Sequence, residues 1–117
     1  MKLQTHKIGD QVFDIFVGTN SKENWEIIDG SGPDDLWFHV EDLPSGHVII
    51  REQFNKSCNV DPIYPNQIIS IAANLCKCQS KYKDRTKLKI IYTQISNIKK
   101  GKEIGSVLVS KSQYIFI

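Results

Sequence analysis

Asp35-Leu-Trp-Phe-His-Val40 and Ser45-Gly-His-Val-Ile-Ile50 are the two stretches whose reading decides the fold. Leu36 to Val40 and His47 to Arg51 are rich in aromatic and β-branched residues, the side chains that suit a pleated, half-buried surface. Glu41-Asp-Leu-Pro-Ser-Gly46 between them is long enough to return the chain, so the two runs are expected as an antiparallel pair in the middle of a sheet. Strand alternation sets Trp37 and His39 on one face and Phe38 on the other, and Trp37 is expected to be mainly a core residue.

Working outward, Lys2 to Ile8 and Gln11 to Val17 are β-prone runs separated by Gly9-Asp10, a hairpin opening the domain. Gly18-Thr-Asn-Ser21 breaks the pattern, and Ser21 with Asn24 can bond local amides to start a short helical turn through Trp25, Ile27 and Ile28. Asp29 to Asp35 reads as a loop, and so does the polar stretch Glu52 to Asn59. From Pro65 to Gln79 the spacing of Ile68, Ile69, Ala72, Leu75 and Cys76 predicts a helix with one apolar stripe, with Lys77 and Lys81 at its C-terminal end. Lys87 to Tyr92 is a strand and Ile95 to Ile98 a turn or short strand. Gly105 to Val109 with Gln113 to Ile117 is read as a closing hairpin. These elements predict a single α+β domain over residues 1–117: a mixed, mainly antiparallel sheet with one main helix packed on one face.

With 117 residues and 40% hydrophobic content, one modest core can close without metals or disulfides. The longest apolar stretch, Ile68 to Ala73 interrupted by Ser70, is far shorter than the roughly 20 residues of a membrane span. Met1 to Lys7 has a basic start with no apolar region behind it, so a cytoplasmic location without membrane association is expected. The odd cysteine count (Cys58, Cys76, Cys78) fits a reducing compartment. Cys76 and Cys78 are one residue apart with no second Cys/His pair following, so neither a metal nor another cofactor is expected.

The net charge of +2 conceals a division. Through Asp61 eleven acids face five bases, whereas from Pro62 onward ten bases face two acids. Such asymmetry within one domain points to a basic face that attracts a polyanion. Two basic clusters stand out: Lys77, Lys81, Lys83, Arg85, Lys87 and Lys89 with Tyr82 interleaved, and Lys99-Lys100-Gly101-Lys102. Lys87 and Lys89, two apart on the expected strand, would share a face and track a phosphate backbone, and Tyr82 could stack on a base. Trp37, His39 and His47 admit three uses: a stacking surface, a metal site, or a general acid/base pair with Asp35, Glu41 or Asp42. Buried, backbone-bonded histidines are the structural alternative. No phosphate-binding loop, nucleophile elbow or zinc-protease pattern occurs, so an enzyme is not expected.

These residues resemble the NFACT RNA-binding domain family. Gly18-Thr-Asn-Ser21 with Asn24 is similar to the family's Gly-Arg-Asn-x-x-x-Asn turn, and Asp35 to Val40 matches its Asp-[Ile/Leu]-Trp-Phe-His-[Ala/Val] segment. Ser45 to Ile50 is similar to its Ser-x-His-Val strand. Ala72-Ala73-x-Leu75, Ser80-Lys81, Tyr92-Thr93, Asn97 to Lys100 and Gly105-x-Val107 follow in the family's order. The resemblance implies a module that binds structured RNA, tRNA or ribosomal RNA, in translation or ribosome-associated quality control, with DNA as a further possible ligand. Residues expected at that interface are Trp37, His39, His47, Lys81, Lys83, Arg85, Lys87, Lys99, Lys100 and Lys102. His47 in particular is expected beside the basic face, gaining a proton near phosphate so that affinity strengthens below about pH 6.5. Thr19 stands where many relatives place Arg, so that turn lacks the family's cation for phosphate contact. The family's tRNA-handling, helix-hairpin-helix and coiled-coil segments are not expected in this chain. Competing readings are an enzyme using His39 and His47, and a protein-interaction adaptor whose acidic half docks a basic partner; oligomeric state is left open.

Overall fold

The computed structural model describes residues 2–9, 11–41, 45–52 and 64–117, and of Glu52 only the backbone. The chain runs β1 (Lys2–Ile8), β2 (Gln11–Val17), α1 (Ser21–Asp29), β3 (Leu36–Val40), β4 (Val48–Glu52), α2 (Asn66–Gln79), β5 (Lys89–Gln94), a 3-10 turn (Ile95–Asn97), β6 (Ile98–Lys100), β7 (Val107–Val109) and β8 (Gln113–Phe116). Six strands form one sheet in the order β1-β2-β4-β3-β5-β8, and β6 and β7 form a separate ribbon. Every pairing among the described residues is antiparallel. The expected connection through Asp42 and the loop Glu52 to Asn59 lie wholly or largely outside the described residues, as does Cys58.

Both faces of the sheet centre are buried, which explains the near-continuous apolar runs of β3 and β4. On one face Phe13, Ile15 and Val17 of β2, Leu36, Phe38 and Val40 of β3, and Val48 and Ile50 of β4 meet the α2 stripe of Ile68, Ala72, Ala73 and Cys76. The two alanines allow the helix backbone to lie close to the strands. On the other face Trp37 and Ile49 pack against Ile27 of α1 and Ile98 of β6, with Val107 and Val109 of β7 at the margin. The α+β class and the α2 layer agree with the sequence reading; the second layer, α1 plus the ribbon, was not foreseen.

Three local expectations are corrected. The closing hairpin does not form: β7 returns on β6, with Ile98 opposite Val109, while β8 pairs with β5, with Ile90 opposite Ile115. The separation follows from apolar faces that go to different cores, Val107 and Val109 to the Trp37 side and Ile115 and Ile117 to the α2 side. Lys87 is not in a strand; its φ of 54° turns the chain ahead of β5, so it shares no strand face with Lys89. Finally, α1 is capped by Asn20 and not Ser21: the Glu23 amide donates to Asn20 Oδ1 at 2.9 Å, and Glu23 Oε1 accepts from the Thr19 amide and hydroxyl at 3.0 and 2.6 Å.

Trp37 is 1% exposed, as expected of a core residue. Trp37→Ala should lower the unfolding free energy by about 3–5 kcal/mol. A chemical-denaturation curve checks this.

Candidate nucleic-acid interface

Two glycines and one asparagine organise the region where the sequence reading concentrates its candidate residues. Gly18 follows β2 and Gly46 precedes β4, and their backbones cross so closely that a Cβ on Gly46 would meet the Gly18 carbonyl oxygen. At this crossing the Gly18 amide donates to the His47 carbonyl at 2.9 Å. The His47 amide donates to Oδ1 of Asn24, a buried side chain on α1, at 3.0 Å. The Gly18 to Asn24 segment and the Ser-Gly-His segment, far apart in sequence, are thus one structural unit. Removing the Asn24 acceptor leaves a buried amide unpaired, so Asn24→Ala should destabilise by about 1–3 kcal/mol. Thermal or denaturant unfolding measures that loss.

Above this crossing lie three rings. Trp37 stacks on His39 with centroids 5.6 Å apart and meets His47 edge-on at 5.2 Å, and the two imidazoles are 5.2 Å apart. His47 is 2% exposed and Trp37 1%, whereas His39 is only partly enclosed. The expected site is therefore corrected at two positions: Trp37 and His47 are interior residues, because α1 and the ribbon cover their face. Burial, and secondarily His39, lower the His47 pKa to about 3, and burial also lowers that of His39 despite its bond to the Val40 carbonyl. His47 therefore does not sit beside the basic surface as a proton-gaining phosphate sensor. The carboxylates considered as its partners are engaged elsewhere, Asp35 with Arg51 at 3.1 Å and Glu41 with Lys89 at 2.7 Å; Asp42 lies outside the described residues. The Cys76 thiol is buried and pushed up to about 12, while Cys78, two residues along α2, is exposed. That spacing sends the two sulfurs to different sides of the helix.

Protons bind the unfolded histidines near pH 6.5 but the folded His47 only near 3, so stability is present above about 6.5 and declines as pH falls toward 3. Between pH 7 and 5 His47 alone should remove about 2 kcal/mol. Melting temperatures over that range should fall for the native chain and fall distinctly less for His47→Gln.

The basic residues divide between two places. Lys81, Lys83, Arg85 and Lys87 are all exposed in the segment that joins α2 to β5. Ser80 builds the corner, its hydroxyl donating to the Lys77 carbonyl at 2.7 Å and accepting from the Tyr82 amide at 3.1 Å. Tyr82 packs against the α2 core and carries the Arg85 guanidinium 4.8 Å above its ring. Lys99, Lys100 and Lys102 belong to the ribbon, in the opposite layer. Lys100 is held at 2.6 Å from Asp29 and 5.0 Å above Trp25, whose indole donates to the Ser106 carbonyl, so this lysine ties the ribbon to α1. The structure thus brings one cluster together on a single segment and separates the other from it.

Fold and site together define a class: a small antiparallel α+β domain, covered on both faces, with four exposed cations on the segment between its main helix and the next strand. The family model described as the NFACT protein RNA binding domain matches residues 5–114, and the chain belongs to that family. Coiled-coil domain-containing protein 25 of Mus musculus is 32% identical over 94 residues, covering 80% of this chain and 44% of that protein. Its homolog in Dictyostelium discoideum is 33% identical over 105 residues, 87% of this chain and 50% of that one. The Rqc2 homolog RqcH of Bacillus subtilis is 31% identical over 106 residues, 88% of this chain but 17% of its own length. The chain therefore spans half or less of these relatives. The solved C-terminal structure of the fibronectin/fibrinogen-binding protein from Streptococcus suis superposes with a TM-score of 0.78 at 23% identity, covering 100% of this chain and 46% of that one, and shows the same fold.

Proposed function

We propose that the chain is an RNA-binding module and not an enzyme, holding structured RNA through the segment from Lys81 to Lys87. The observation that carries this reading is that segment itself: four exposed cations and one exposed acid, Asp84, in seven residues, within a domain of an RNA-binding family. Exposed cations in a continuous segment can each replace a counterion on a phosphate, the main source of affinity for a polyanion. A cytoplasmic setting in translation or ribosome quality control, with tRNA or ribosomal RNA as ligand, fits the kinship with RqcH. Of the residues expected at the interface, Lys81, Lys83, Arg85 and Lys87 are assigned phosphate contact. Lys99 and Lys102 are subsidiary and Lys100 structural, while the buried Trp37 and His47 support the fold.

Filter binding to a tRNA-sized RNA over a salt series tests the assignment. Lys81→Glu with Lys83→Glu should weaken binding and lower the salt slope by about 0.7–0.9 for each lost phosphate contact. Lys99→Glu with Lys102→Glu should have the smaller effect. The opposite ranking would move the interface to the ribbon, equal affinity for duplex DNA would remove the RNA preference, and absence of binding to either would favour a protein-interaction adaptor.

A further inference from the structure

β8 is an outer strand of the sheet, and its side chains alternate sharply in environment. Ile115 packs toward α2, whereas Tyr114 and Phe116 are 59% and 56% exposed. Their rings meet edge to face at 5.5 Å. Register sets Tyr114 opposite Ile91 and Phe116 opposite Lys89, and Ile91 lies on the Trp37 side of the sheet. The aromatic pair thus stands on the face that α1 and the ribbon cover further in. Lys89 places its amine 4.4 Å from the Tyr114 ring centroid while pairing with Glu41 at 2.7 Å. One strand further, His39 is opposite Ile91 and partly exposed. Leu88 and Ile117 exchange backbone hydrogen bonds at 2.8 and 2.9 Å, so the basic segment ends alongside Phe116.

Single exposed hydrophobic residues are ordinary, but two neighbouring rings on one strand face with a cation against one of them form a surface of definite chemistry. Two exposed rings, even edge to face, offer π-surface to nucleobases without regard to their identity, and adjacent cations take the phosphates between them. We propose that Tyr114 and Phe116, with Lys89, form a stacking platform for unpaired nucleotides of the RNA held by the segment from Lys81 to Lys87. This rests on the RNA-binding reading above. Charge selects the occupant: Lys89 lies against Tyr114, and the basic segment ends at Leu88, which is hydrogen-bonded to Ile117 beside Phe116, an arrangement that suits an unpaired polyanionic strand better than an apolar protein surface. Glu41 competes with phosphate for Lys89, so the amine changes partner when a strand is bound.

The whole chain can be tested with a hairpin RNA carrying a single-stranded extension and with the same hairpin blunt-ended. The native chain should bind the extended hairpin about tenfold or more tightly, and Tyr114→Ala with Phe116→Ala should lose that advantage while keeping the affinity for the blunt one. In the unsubstituted chain, photo-crosslinks from thiouridine placed in the extension should fall on Tyr114 or Phe116, a readout independent of how the variant folds. Equal binding of both hairpins, a variant that keeps the preference, or crosslinks confined to other elements overturns the platform and leaves the RNA-binding reading standing. Loss of self-association with RNA affinity intact would make the pair a docking face for a second copy. A native chain that binds neither hairpin overturns both readings.

Discussion

The hydrogen bond from the His47 amide to the Asn24 carboxamide is the contact on which the arrangement of this domain depends. It works only because Gly18 and Gly46 bring two backbones closer than any side chain would allow. Through it α1 is fixed against the end of β2 and the start of β4, and α1 in turn receives the ribbon through Trp25, Asp29 and Lys100. The layer so assembled covers Trp37 and His47. Take away the crossing and the second face of the sheet loses its cover, even though α2 and its larger core remain.

That geometry separates two kinds of residue that look alike in sequence. Histidines and a tryptophan in a strand pair suggest chemistry, but here Trp37 and His47 are enclosed, and their value lies in packing. Their cost is a fold that weakens in mild acid, since an imidazole that cannot be hydrated resists protonation. At the sheet centre the charged residues Arg51 and Asp35 are paired with each other. Exposed positive charge collects on the α2 to β5 connection, where a polyanion can be gathered without disturbing the core.

Much of this was legible from the sequence. Runs of β-branched and aromatic residues located β1, β2, β3 and β4 within a residue, and the apolar stripe located α2, because its periodicity directly records which side of the helix is buried. The resemblance to the family named the segments that later proved to touch, Gly18 to Asn24 and Ser45 to Ile50, but not the manner of their contact. That needs the tertiary crossing of two glycines, which no local pattern reveals. The partners of β7 and β8 were missed for a related reason: a nearby pair of short strands reads as a hairpin, and only the destinations of Val107, Val109, Ile115 and Ile117 separate them. The left-handed Lys87 carried no glycine or asparagine signal. Tyr114 and Phe116 did carry one, the alternation of the last strand, but exposure decides its meaning and exposure is not written in a single sequence.

The proposed RNA site comprises the α2 to β5 connection and the β8 edge and excludes the interior rings and the lysine that ties the ribbon to α1. Amine-acylation footprinting of the native chain with and without RNA tests this directly. Lys81, Lys83, Lys87 and Lys89 should become protected on binding, with Lys22 and Lys100 unchanged. Protection of Lys22 and Lys100 with the connection left reactive would contradict it.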